Sequence, residues 1–303
     1  MIKLVRRSTW VLVIGLLAVF TGCGQISHKA AESSFPVVRY ALNTSSTLAA
    51  LPLQVALKLH LFQNERIQPK ISARAKANLV VSESNPSWPL IGYLGSRPDL
   101  LIISPGPDPH FRLRVLNHLP VVYAANLRPY LGLIHGVMNL NRTDPSFHSA
   151  PFRHLETLWK EHRLPWAMVS LSQYFALRQK DPHSVILNWL GASTGPIPVI
   201  TISGHSTHSV QFLRALNLAL WYIHTSSPEQ IAHVVGDNPR DLVLTQAIQK
   251  AMHFDLWPET TLISPQEYNR GRALYGLGTR DIWPPYFAGV NAKLSRQALT
   301  AAY

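Results

Sequence analysis

Residues 37–72, VVRYALNTSSTLAALPLQVALKLHLFQNERIQPKIS, constrain the fold more than any other stretch of the chain. Val37 to Leu42 is a β-branched and aromatic run that reads as a strand, and it breaks at Asn43-Thr44-Ser45-Ser46, small polar side chains able to bond a ligand or a backbone group. Leu48, Leu51, Val55 and Leu59 then recur at helical spacing, and Ile67 to Ser72 is extended again. The order is a βαβ unit, so the chain is of the α/β class. Its polar turn lies at the carboxyl end of a strand and the amino end of a helix, where open α/β sheets bind ligands and where the helix dipole favours negative charge.

The start of the chain supplies an address. Lys3, Arg6 and Arg7 precede an apolar run from Trp10 to Phe20, too short to span a bilayer but suited to the core of a secretory signal. Phe20-Thr21-Gly22-Cys23 follows and resembles the lipobox of bacterial lipoproteins, with Phe20 at a position where Leu is more usual. Cys23 is the only cysteine among 303 residues, which leaves no disulfide, thiol nucleophile or Cys-based metal site elsewhere. The expectation is a signal peptide over residues 1–22, lipidation at Cys23, and an anchor and tether over 23–35, placing the protein outside the cytoplasm on a membrane. An ordinary signal with an incidental cysteine is the alternative. The chain carries +12 at pH 7 and keeps +9 once the three basic leader residues are removed. No Lys/Arg run exceeds two residues, so a nucleic-acid partner is not expected; the field suits anionic lipid or an anionic ligand.

Further along, Ser82-Glu83-Ser84-Asn85-Pro86 reads as a loop or helix start, and Leu100 to Ile103 as a buried strand stopped at Ser104-Pro105-Gly106-Pro107. Arg114 to Ala125 and Leu131 to His135 read as strands flanking a turn at Asn126, and Phe152 to Trp159 as a helix. Ala167 to Leu171, ending at Ser172-Gln173-Tyr174, is another strand, as are Ser184 to Leu190 and Pro198 to Ser203. Val210, Leu213, Leu216, Leu220 and Ile223 share one helical face. Helix starts are signalled at Ser227-Pro228, Asn238-Pro239 and Ser264-Pro265, each with an acceptor side chain at the third helical position.

The opening strand, polar turn and helix ending in ALKLHLFQNERIQPKIS resemble the extracytoplasmic solute-binding proteins of ABC importers, most of all the nitrate, sulfonate, taurine and thiamine-precursor group; Leu61-Phe62 stands where that group usually has Gly-Phe. The resemblance implies a two-lobed periplasmic-binding-protein-like fold of type II, with two crossovers and a cleft between the lobes. The expected division is a first lobe over 36–120, a second over 121–202, and a return to the first over 203–303. The resemblance also places the loop at Ser104 and a crossing turn at Asn126 on the cleft. The second lobe looks abbreviated, because the Leu-Lys-Gly-Lys step of the group is replaced by Phe152-Arg153-His154-Leu155.

Chemistry other than binding finds little support. His205 and His208 have a spacing compatible with one side of a helical turn, but no Cys lies nearby and HExxH does not occur. GxGxxG does not occur, so no nucleotide fingerprint is present; GxSxG occurs once in letters, at Gly191-Ala192-Ser193-Thr194-Gly195, and a hydrolase elbow is not expected there. The expectation is a monomeric solute-binding lipoprotein with no catalytic residue, cofactor or metal. Its partners are a small-molecule solute and the permease subunits, and its ligand contacts are Asn43, Thr44, Ser45, Ser46, Ser104, Asn126 and Ser172. A sulfonate, nitrate or pyrimidine solute fits this reading. The alternatives are a membrane-anchored sensor or scaffold and an enzyme resembling thiamine-pyrimidine synthases.

Overall fold

The structure, a computed structural model, describes residues 35–44, 48–83, 88–236, 241–279 and 283–300. The leader, Cys23 and the turn residues Ser45 and Ser46 lie outside the described residues. Among those described, ten strands form two five-stranded sheets.

The first sheet holds β1 (Val37–Asn43), β2 (Gln68–Ile71), β3 (Leu79–Glu83), β4 (Leu90–Gly95) and β10 (Ile200–Gly204), in the order β2-β1-β3-β10-β4. The second holds β5 (Leu100–Ser104), β6 (Pro120–Ala124), β7 (Ser146–Ala150), β8 (Ala167–Ser170) and β9 (Val185–Trp189), in the order β7-β6-β8-β5-β9. The two are built alike. Each has a parallel trio, and each takes its fourth strand, antiparallel to that trio, from a chain segment crossing from the other sheet: β10 in the first and β5 in the second. The inner strand β5 is a continuous apolar run and wholly buried, and β4, though it ends the first sheet, is wholly buried as well. Polar residues and Pro69 fall on the edge strands β2 and β7, where a lost ladder bond is tolerated.

This topology corrects several expectations. The second sheet matches the first strand for strand, so the second lobe is not abbreviated. The first crossing falls between Gly95 and Leu100, not at Asn126, and Leu100–Ser104 pairs in the second sheet although it was expected in the first lobe. The return lies between Trp189 and Ile200, and the two crossing segments bond each other, Ile197 N to Ser96 O at 2.7 Å and Val199 N to Gly95 O at 2.9 Å. Leu131–Leu140 is a helix rather than a strand: Leu133, Ile134, Val137 and Met138 are buried at helical spacing. Leu242–His253 is capped by Asp241, whose side chain accepts from Leu244 N, not by Asn238, which lies outside the described residues.

Helices α1 (Leu51–Lys58), α2 (Leu61–Asn64), α3 (Leu131–Leu140), α4 (Phe152–Lys160), α5 (Leu171–Lys180) and α6 (Leu190–Thr194) cover the sheets in the first two thirds of the chain. The last third adds α7 (Ser209–Thr225), α8 (Pro228–Val235), α9 (Leu242–His253), α10 (Pro265–Thr279), α11 (Tyr286–Gly289) and α12 (Ala292–Thr300). Two of these bridge the halves. Helix α9 lies between α8, which rests on α1, and α5 of the second half. Helix α10 begins on the first sheet, where the Tyr93 hydroxyl donates to Glu267 Oε1 at 2.8 Å, and ends against α3. That contact is backbone to backbone, because a Cβ at Gly136 would overlap the carbonyl of Leu274 and one at Gly278 the carbonyl of Gly132.

Alanine ordinarily stabilises a helix interior by about 1 kcal/mol over glycine. Here the sign reverses: Gly136→Ala and Gly278→Ala are each expected to cost about 1–3 kcal/mol by overpacking. Urea unfolding checks this, as a lower midpoint at unchanged slope.

Candidate functional site: a buried polar cluster between the sheets

The carboxyl ends of the parallel trios face each other across the crossing segments. On the first sheet, β3 ends at Glu83, beside Ile200 of β10, and β1 runs out at Asn43 into Thr44. On the second, β6 runs into a 3-10 turn, Ala125–Tyr130, that leads directly into α3. Strand β8 ends at Ser170, beside Leu100 at the start of β5.

Four polar side chains meet in this space. Glu83 is 3% exposed, Asp99 of the crossing segment 2%, Tyr130 0% and Tyr275 of the bridging helix 2%, which makes this a closed interior site. The Thr44 hydroxyl donates to Glu83 Oε1. Burial and then the negative charges of Glu83 and Asp99 hold the Tyr130 phenol well above its ordinary value. Burial and Glu83 likewise push Tyr275 up. Elements from both sheets and from α10 thus converge on one carboxylate. The Tyr130 hydroxyl faces the Glu83 carboxylate and interacts with it, in less than full hydrogen-bond geometry.

A second polar group stands on the second-sheet side. The Asn126 side-chain oxygen accepts from Gln173 Nε2 at 2.8 Å, and Gln173 closes a reciprocal cap with Ser170 at the start of α5. Ser172 sits in the first turn of that helix and is half-buried. The structure therefore brings Thr44, Asn126 and Ser172 to the inner ends of the two sheets. Asn43, in register with Ser82, is at the same end but exposed. Ser104 is not there. Strand β5 runs against its neighbours, so its carboxyl end pairs with Val185 at the start of β9, about 13 Å along the strand from Leu100. Sequence reasoning missed Glu83, Tyr130 and Tyr275. Its one usable signal was the acidic residue directly ending an apolar run, Leu79-Val80-Val81-Ser82-Glu83.

His205 is exposed and His208 precedes α7 as its half-buried N-cap.

Two like sheets, each lending a strand to the other and facing across paired crossing segments, define the two-lobed periplasmic-binding-protein fold. Solved structures agree. A sulfonate ABC transporter periplasmic binding protein, SsuA, from Methylobacillus flagellatus superposes with a TM-score of 0.64 at 9% identity, covering 88% of this chain and 94% of that one. The Candida albicans CA3427 product, described as having the generic periplasmic binding protein fold, gives 0.57 at 8% identity over 85% and 96% of the two chains. The desulfurization enzyme DSZB gives 0.62 at 9% identity over 88% and 100%. The sequence matches no protein-family model and no curated protein.

Phenols ionise near 10 in an unfolded chain, whereas Tyr130 and Tyr275 keep their protons above that in the fold. Above pH 10 the unfolded state therefore binds fewer protons, and stability falls as pH rises. Tyr130→Phe is expected to cost at most about 1 kcal/mol at pH 7, because the buried hydroxyl it removes gives Glu83 only an incomplete hydrogen bond. It is also expected to reduce the loss of stability between pH 10 and 11 by about 1 kcal/mol. Urea midpoints measured at both ends of that range test both signs.

Proposed function

We propose that the protein is the solute-binding component of an ABC importer, held outside the cytoplasm by a lipid on Cys23. Its cleft closes on a small solute rich in hydrogen-bond donors, of the aminopyrimidine type. The observation that carries the solute class is the burial of Glu83 between the sheets, with Asp99 beside it and two protonated phenols around it. A buried carboxylate needs donors, and a ligand bearing N–H groups supplies them. A sulfonate or nitrate brought against the same carboxylates meets like charge and loses its water as well. The basic surface remains suited to anionic lipid.

The fold itself is shared with a desulfurization enzyme, so it does not separate binding from catalysis. Against an enzyme stands the residue set: the only cysteine of the chain is Cys23, and the cleft offers carboxylates and phenols without an adjacent nucleophile and base.

Thermal unfolding against a panel of aminopyrimidines, sulfonates, nitrate and bicarbonate is the deciding experiment. A true solute at about a hundred times its dissociation constant adds roughly 2.7 kcal/mol, which raises the midpoint by about 5 °C. The expected outcome is a shift with an aminopyrimidine and none with the anions, and a loss of affinity of roughly 10- to 100-fold in Glu83→Gln. A shift with sulfonates alone overturns the solute class. Silence across the panel from folded protein favours the sensor or scaffold reading.

A further inference from the structure

A second concave site, whose lining does not include Glu83, borders the crossing segments. It is a cavity of about 850 Å³ whose wall includes Ser96 and Arg97 of one crossing segment and Pro196 of the other, within the size range of small-molecule sites. One wall is the loop following α9. It is fastened to the crossing segment at Ser96, whose N donates to Leu256 O at 2.8 Å and whose hydroxyl donates to Asp255 O at 2.7 Å. The other wall is α7, which presents Asn217, Leu218 and Trp221.

Its charge is opposite to that of the protein. Asp255, Glu259 and Glu267 line the cavity, in a chain with 16 acidic against 28 basic residues. The one guanidinium on the wall, Arg97, is engaged elsewhere: it lies 5.5 Å over the Trp189 ring, and its Nη1 donates to Gly191 O at 3.3 Å. The Glu267 carboxylate is fixed by the Tyr93 hydroxyl at 2.8 Å and by Ser264 N at 2.9 Å. Trp221 is 63% exposed, unusual for the largest apolar side chain on a helix whose other face is core. At the back, Asn217 is 8% exposed; its oxygen accepts from Thr261 N at 2.8 Å, while its amide nitrogen has no partner among the described residues.

Carboxylates beside an open indole attract positive charge both by Coulomb force and through the ring face. A buried, unpaired amide donor at the same site asks for an acceptor oxygen. We infer that this cavity is a second ligand site, which takes an organic cation: an ammonium or quaternary ammonium compound whose apolar body rests on Trp221 and whose oxygen meets Asn217. Its cation faces Glu259 and Glu267. The site is independent of the cleft and of whatever solute the cleft takes.

The test is isothermal titration of the purified protein with choline, with benzyltrimethylammonium, and with 3,3-dimethyl-1-butanol, the uncharged isostere of choline. Saturable one-to-one binding of at least one cation is expected, with the neutral isostere at least roughly tenfold weaker. Trp221→Ala and Glu259→Gln, both surface substitutions, should each weaken the cation by about tenfold or more. Glu83→Gln in the cleft should leave it unchanged. The inference is overturned if neither cation saturates, if the isostere binds equally well, or if the cation survives both cavity variants. Loss of binding in Glu83→Gln alone would assign the cation to the cleft and overturn it equally, without touching the reading of the cleft as a solute site.

Discussion

The pairing of two short extended segments, 95–100 and 195–200, is the constraint on which the rest of this molecule depends. Only two backbone bonds, from Ile197 N and Val199 N, tie one crossing to the other, yet each sheet owes its fourth strand to them. Because the chain crosses immediately after Gly95 and again immediately before Ile200, the carboxyl ends of both parallel trios are drawn towards the same narrow space. Side chains that point into that space from the inner strands become interior residues once the halves meet, whereas Asn43 at the same end stays exposed. That is why Glu83, a carboxylate at the end of a strand, is buried, and why two phenols from distant parts of the chain crowd around it.

How much of this could be read from the sequence depends on whether the deciding contact was local. The βαβ unit at residues 37–72 was legible because strand, turn and helix each carry their own pattern, and the capped helix starts at Ser227 and Ser264 were legible for the same reason. Strand direction was not. Leu100 to Ile103 reads as a buried strand in either sense, so Ser104 was taken for a cleft residue when the antiparallel pairing with Ala167 and Val185 carries it to the opposite edge. Leu131 to His135 was read as extended because its aliphatic residues hide the helical spacing; the helix at Leu131–Leu140 is explained by its partner, since Gly136 on it and Gly278 on α10 allow backbone contact. Glu83 looked like the start of a loop because nothing near it in sequence announces Ile200, its neighbour in the sheet.

The cavity behind the crossing segments and the cluster between the sheets differ in kind. The cluster is closed, its electrostatics dominated by burial, and small changes there act strongly because solvent and salt screen buried charges weakly. The cavity is open, with an exposed indole and a rim carboxylate at Glu259, and its electrostatics should fade with ionic strength. Both border the crossing segments: Asp99 belongs to the cluster, Ser96, Arg97 and Pro196 to the cavity wall. Arg97 lies over the Trp189 ring, which Phe254 stacks at 4.0 Å with Lys250 over its own face.

Helix α10 gives the molecule a third tie beside its two crossings, and the contact it makes is defined by side chains that are missing. Gly136 and Gly278 set how near the two helices come, as the thickness of a shim sets the gap of a bearing. A change on that seam would act on the spacing of the two sheets without touching any residue of the cluster between them. A single added methyl group would hold the halves further apart, through a geometry written far from Glu83 itself.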